Sequence, residues 1–219
     1  MTRIVIAGGH GQIALQLAAR LSAAGHIVQG LIRRPDGAGD LVAAGAEPVL
    51  FDLEKATAQE LAAVIRGADA VVFAAGAGAG SGVERKYTVD LGGSVLLADA
   101  AELAGVRRFV QVSSMGAGAP AAPGSEPVWA AYLDAKTKAE DDLRRRDLDW
   151  TILRPGSLLN APALGQVDLA PHTTRGTVPR ADVAHVLAEL LDQGAALQQT
   201  LELVSGAVPV FQAVQAWKV

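Results

Sequence analysis

The chain has 219 residues, half of them apolar, with a formal net charge of −4 and no cysteine. That length and apolar share suffice for one α/β domain with a sizeable core, and aromatics make up only 4% of the residues, which leaves Ala, Val, Leu and Ile to pack it. The missing cysteines exclude disulfides, thiolate nucleophiles and most structural zinc sites, and an acidic balance without a basic stripe argues against nucleic acid as a partner.

Met1-Thr2-Arg3 leads straight into Ile4-Val5-Ile6, leaving no room for a signal peptide. Arg3 to Ala7 reads as a buried strand. Ile13, Leu17 and Leu21 then recur on one helical face, with Gly25 as the C-terminal stop. Ile27 to Ile32 is a second strand, Asp40 to Ala44 a short helix and Glu47 to Phe51 a third strand. Thr57 to Arg66 is predicted helical with Thr57 as N-cap. A fourth strand, Ala70 to Ala74, opens the longest apolar stretch, Ala70 to Ala79, which is too short to span a membrane. A soluble cytoplasmic protein without membrane association is therefore expected. Gly76 to Gly82 is glycine-rich; its place after a strand predicts an active-site loop rather than a linker.

Val83 to Ala104 reads mainly as helix up to Gly105, Arg108 to Ser113 as a fifth strand and Val128 to Arg146 as a charged amphipathic helix. Trp150 to Leu153 is a sixth strand, stopped by Pro155-Gly156. Beyond it come a helix near Arg180 to Leu191, a strand near Leu201 to Val204 and a last helix from Val208. This alternation predicts a doubly wound parallel sheet with helices on both faces, an α/β fold of Rossmann type. Residues 1–219 are expected to form a single domain, with residues 157–219 contributing a small roof on the substrate side. The run Asp141 to Arg146 is expected to stay solvated, which favours a monomer, with a homodimer as the alternative.

Ligands of such sheets sit at the carboxyl ends of the strands. The first turn reads Gly8-Gly9-His10-Gly11-Gln12-Ile13-Ala14, between a strand and a helix. A pyrophosphate needs glycine there for close backbone approach and a helix N-terminus for its charge. Ala14 stands where a third glycine serves helix–strand packing. The second strand should end at the adenosine ribose, where an acid suits NAD and a basic residue the 2′-phosphate of NADP. It ends in Arg33-Arg34, and guanidiniums clamp phosphate with several donors. NADP(H) is thus expected over NAD(H).

Tyr132 and Lys136 lie four apart on a predicted helix and share a face. A phenol exchanges a proton with a carbonyl oxygen once an ammonium stabilises its phenolate. Serine at the end of the preceding strand, Ser114 or Ser113, would donate to the same oxygen. His172, in the segment after the sixth strand, reads as an exposed loop residue.

Taken in order, these motifs resemble the short-chain dehydrogenase/reductase superfamily in its atypical, short NAD(P)H-binding branch. Further matching pieces are Asp52-Leu53, Ala74-Ala75-Gly76, Val112-Ser113-Ser114, the run Ala135 to Glu140, Leu153-Arg154-Pro155-Gly156 and Arg180 to Ala184. The resemblance implies that Asp52 and Leu53 meet the adenine, that Ala74, Ala75 and Gly76 line the adenosine ribose, and that Pro155 and Gly156 flank the nicotinamide. Catalysis would fall to Ser114, Tyr132 and Lys136, with Lys136 also holding the nicotinamide ribose. One departure is Asp90, where relatives often carry asparagine. Another is the short stretch after Gly156, which implies a small pocket roofed by Ser157 to Val178 and argues against a nucleotide-sugar epimerase.

The implied activity is NADP(H)-dependent hydride transfer to or from a small carbonyl, quinone or similar small-molecule acceptor. The alternatives are a non-catalytic NADP(H) sensor or assembly factor, and a flavin- or tetrapyrrole-reductase-like activity.

Overall fold

In the computed structural model, which describes residues 1–78 and 80–218, the apolar run RIVIA forms β1 (Arg3–Ala7), an interior strand of the sheet. Ala79, in the expected glycine-rich loop and at the end of the expected apolar stretch, lies outside the described residues, as does Val219. In β1, Ile4 and Ile6 pack into one core cluster and Val5 and Ala7 into another. Alternating side chains thus feed two cores, one on each face of the sheet.

The first half of the chain winds to one side of β1. It runs through α1 (Gln12–Ala23), β2 (Ile27–Ile32), α2 (Ala38–Ala43) and β3 (Glu47–Leu50). Then α3 (Ala58–Ile65), opened by a capping box between Thr57 and Glu60, returns the chain to β4 (Ala70–Phe73), on the far side of β1. Next come α4 (Val83–Arg85), a π-helical stretch Lys86–Leu91, α5 (Gly92–Ala104), β5 (Arg108–Val112), α6 (Pro127–Arg144) and β6 (Asp149–Pro155).

The remaining residues form β7 (Ser157–Leu159), β8 (Gln166–Ala170), β9 (Thr177–Pro179), α7 (Arg180–Asp192), β10 (Gln199–Ser205), β11 (Val208–Pro209) and α8 (Val210–Gln215). Among the described residues the main sheet has the order β11-β8-β10-β6-β5-β4-β1-β2-β3, and β7 pairs with β9 separately. The pairings from β3 through β10 are parallel, whereas β8, near one edge, pairs antiparallel with both β10 and β11. This is a single-domain Rossmann-type fold. Its strand order reverses between β1 and β4, and a crevice opens there at the strands' carboxyl ends.

Segment 157–219, expected as a roof, thus gives three strands and two helices to the main layers, and only its first residues and Arg180 reach the crevice. Its strands β7, β8, β9 and β11 were not predicted. In the charged run at the end of α6, Asp141 and Arg145 are exposed and Asp142, Arg144 and Arg146 half-buried, so its charged groups keep water while ion pairs tie part of it down. Leu143 is buried, and Arg146, just past the helix, pairs with Asp142 of α6 and with Asp99 and Glu102 on α5.

The expected single helix from Val83 to Ala104 is interrupted by the π-helical stretch. Gly92 follows that stretch so closely that a Cβ would lie 3.3 Å from the Tyr87 carbonyl oxygen. Tyr87 donates to Asp134 of α6 at 2.8 Å. The wider turn buries Lys86 and Asp90 together and carries both to the crevice.

Candidate active site

The crevice is a cleft of about 1090 Å³ that runs from the end of β2 across β1 and β4 to the ends of β5 and β6. Its floor is the β1–α1 turn. Gly8 has φ +80°, and a Cβ on it would come within 2.5 Å of the Ala75 backbone. Gly9 lies against Gly30 of β2, where a Cβ would come within 2.7 Å. These two glycines therefore serve the close approach of one chain segment to another. Gly8 and Gly11 line the cleft, whereas Gly9 is buried behind the turn. Gly11 opens α1 with no side-chain cap and no acidic residue in the first turn, which leaves the first helical amides and the helix dipole available to an anion. Ile13 lines the cleft, but Gln12 faces a neighbouring recess with Leu15, Gln16, Asn160 and Arg180. His10 packs on Gly37, and its Nε2 lies 2.7 Å from an Asp40 carboxylate oxygen.

At the end of the cleft beside β2 the lining is Arg33, Arg34, Asp52 and Leu53, with Ala74, Ala75 and Gly76 after β4. Neither arginine stands free: Arg33 pairs with Glu54 at 3.0 Å, and Arg34 lies 3.4 Å from Asp36. Asp52 accepts the Glu54 amide at 3.1 Å, a bond that shapes the turn after β3.

At the other end α6 presents Tyr132 and Lys136, β5 leads into Ser113 and Ser114, and β6 leads into Pro155 and Gly156. Lys136 is buried; its ammonium lies 3.3 Å from Asp90 and donates to the Val112 carbonyl at 3.1 Å. The second oxygen of Asp90 accepts the Ala77 amide at 3.0 Å. Carboxylate rather than asparagine at this position thus gives Lys136 a buried counter-charge.

A second ammonium compensates, and sequence reasoning missed it. Lys86, only 7% exposed, lines the cleft and donates to the Gly78 carbonyl at 3.0 Å. The ammoniums of Lys86 and Lys136 lie 5.6 and 5.7 Å from the Tyr132 ring centroid, within cation–π range. Two ammoniums therefore lie near the Tyr132 ring, one of them paired with Asp90. The signal in sequence was the Lys86/Asp90 spacing, one helical turn apart, but only the π-helical stretch brings it to Tyr132.

The two serines part company. Ser113 is buried and gives its hydroxyl to Glu140 of α6, which also accepts from Arg154 and Arg144. Burial works against the charge on Arg154, but its hydrogen bonds to Glu140 and the carboxylate's charge outweigh that and raise its pKa. Among the described residues Ser114 has only a long contact, 3.4 Å to the Met115 carbonyl, and it lines the cleft. Trp129 stacks on Tyr132 with centroids 5.4 Å apart and is 47% exposed at the mouth, where Val128 and Leu158 also line the wall. His172 is exposed and outside the cleft lining. Among the described residues no helix is long and apolar enough to cross a membrane, and no His, Cys, Asp and Glu cluster suits a metal ion.

Comparison with known proteins gives a consistent set of likenesses. A family model described as NAD(P)H-binding matches residues 8–194. Bacillus subtilis YhfK, named an uncharacterized sugar epimerase, is 33% identical, over 97% of this chain and 99% of its own. A solved Bacillus halodurans protein, provisionally named an NAD-dependent epimerase/dehydratase, superposes with a TM-score of 0.91 at 34% identity, covering 99% of this chain and 100% of that one. ChuY, an anaerobillin reductase from Escherichia coli O157:H7, does so with a TM-score of 0.77 at 29% identity, covering 93% and 97%.

Proposed function

The chain belongs to the NAD(P)H-binding family, in the atypical short-chain dehydrogenase/reductase branch, and from that premise we propose that it is an NADP(H)-dependent oxidoreductase acting on a small carbonyl, quinone or similar acceptor. The observation that carries this reading is the meeting of Tyr132, Lys136 and Ser114 in one cleft with the glycine turn. The residues present suit a dinucleotide: the uncapped α1 N-terminus and Gly11 fit a pyrophosphate, and Pro155 and Gly156 line the cleft where the resemblance puts a nicotinamide ring.

The nicotinamide, when bound, supplies or takes the hydride at the acceptor carbon. Tyr132 passes its phenolic proton to the acceptor oxygen during reduction and recovers it from solvent. Ser114 donates a hydrogen bond to the same oxygen. Lys136 holds positive charge against the ring, tempered by Asp90 and reinforced by Lys86. Residues 1–219 act as one unit in this reading, and segment 157–219 contributes Ser157, Leu158 and Arg180 to the acceptor side.

Calorimetric titration with NADPH, NADP⁺ and NADH tests the cofactor assignment. Both NADP forms are expected to bind, with NADH weaker. Arg33→Asp should weaken NADPH about tenfold while leaving NADH almost unchanged; equal loss of both would refute the 2′-phosphate role of Arg33. Strong preference for one redox form, without turnover on carbonyls and quinones, would favour the sensor reading.

The apolar mouth favours planar acceptors and keeps a flavin- or tetrapyrrole-reductase-like activity as the second reading. An exposed indole beside the reacting phenol offers a stacking face. Trp129→Ala is therefore expected to raise KM for a quinone about fivefold with little change in kcat. A fall in kcat at constant KM would mean that Trp129 orients Tyr132 instead of holding the acceptor.

A further inference from the structure

The adenosine end of the cleft holds three guanidiniums, those of Arg33, Arg34 and Arg85, and three carboxylates, of which Asp36 and Asp52 stand apart from the third, Glu54, which two of the guanidiniums share. One oxygen of Glu54 accepts from Arg33 at 3.0 Å and from Arg85 at 2.7 Å, while the other accepts from the Thr88 hydroxyl at 2.8 Å. The Glu54 side chain is 24% exposed. Partial burial alone would raise its pKa, but the Thr88 hydroxyl and the Arg85 and Arg33 guanidiniums outweigh it and hold the carboxyl below its usual value. Glu54 is thus an anion held by two guanidiniums and a hydroxyl, the donor set that suits a phosphate.

We propose that Glu54 is an internal competitor for Arg33 at the position of the adenosine 2′-phosphate, and that Arg85, by retaining Glu54, is a second determinant of cofactor choice. The proposal rests on the cofactor reading above. A 2′-phosphate takes Arg33 from Glu54, while Arg85 and Thr88 keep the displaced carboxylate paired. Without that phosphate, as with NADH, the Arg33–Glu54 pair stays intact. Arg34 is the easier guanidinium to recruit: its contact with Asp36 is long, at 3.4 Å, and both side chains are mostly exposed. The preference for the phosphorylated cofactor is consequently smaller than the arginines alone would give. Arg85 and Thr88 border Lys86 and Asp90 in the chain, so the retaining groups sit on the segment that also reaches the Tyr132 end.

The test is calorimetric titration of NADPH and NADH into the full chain, Glu54→Gln and Arg85→Gln. Glu54→Gln is expected to raise the ratio of NADPH to NADH affinity about fivefold, through tighter NADPH binding. Arg85→Gln should lower the ratio by a similar factor, because Glu54 then falls wholly on Arg33. Opposite signs separate this from damage to the fold, which would weaken both nucleotides together. A ratio that stays put in Glu54→Gln, or moves the same way in both variants, overturns the competitor role while leaving the cofactor reading intact. A wild-type chain that binds neither nucleotide overturns that reading and the competitor role with it.

Discussion

Tyr132→Phe is expected to lower carbonyl or quinone reduction by about two to four orders of magnitude while NADPH binding stays within about twofold of wild type. The substitution removes one oxygen and keeps the ring, so the stack on Trp129 and the cation–π contacts with Lys86 and Lys136 survive. No second phenol is placed to take over. The chain has two tyrosines, and Tyr87 gives its hydroxyl to Asp134 outside the cleft lining. That bond, with some burial and the Asp134 charge, raises the Tyr87 pKa and makes it a poorer proton exchanger still. Steady-state turnover alongside calorimetric binding separates the two effects. Turnover indifferent to Tyr132→Phe would remove the phenol from the chemistry and favour the reading in which cofactor geometry does most of the work.

How much of this could be read from the sequence depended on how local each feature is. β1 and β2 were legible to the residue, because short apolar runs bounded by turn residues have few alternative readings. The Thr57 cap was legible for the same reason, since its partner Glu60 is three residues away. Tyr132 and Lys136 could be placed on one face because a single helix carries both. What escaped was set by contacts between segments. Nothing within Val83 to Ala104 announces a π-helical stretch, which is fixed partly by Tyr87 meeting Asp134 of another helix. Arg33 looked free for a phosphate because Glu54, its partner, lies 21 residues on. In the sequence only the resemblance favours Ser114 over Ser113, and the physical reason, that Glu140 takes the Ser113 hydroxyl, comes from another helix. The short strands β7, β9 and β11 carry two or three residues each, too few for a period to show.

Glu140→Ala is expected to destabilise the chain by about 3–5 kcal/mol, the cost of stripping a buried charge of its partner. Glu140 is fully buried on α6, and its carboxylate is shared by Ser113, which follows β5, Arg154 of β6 and Arg144 of its own helix. Without it the Arg154 guanidinium would remain inside the protein. The nearest replacement, Glu202, faces Arg154 across the β6–β10 pairing but already accepts the Thr173 amide at 2.8 Å. For a chain of this size that loss corresponds to a fall of about 10 °C in melting temperature, readable by circular dichroism. A shift under about 2 °C would mean that water or Glu202 satisfies Arg154. The pair, rather than the acid alone, is then the quantity to test. The double variant Glu140→Met with Arg154→Met removes both charges and refills the space with apolar volume, and it is expected to be more stable than either single variant. Additive losses in the double variant would show that the two side chains contribute separately through packing. Because Glu140 lies one turn beyond Lys136 on the same helix, this pair also ties the Tyr132–Lys136 face of α6 to the ends of β5 and β6. Turnover of the double variant, measured well below its melting temperature, should therefore fall even where stability recovers, since apolar side chains restore volume but not the bonds that orient the helix.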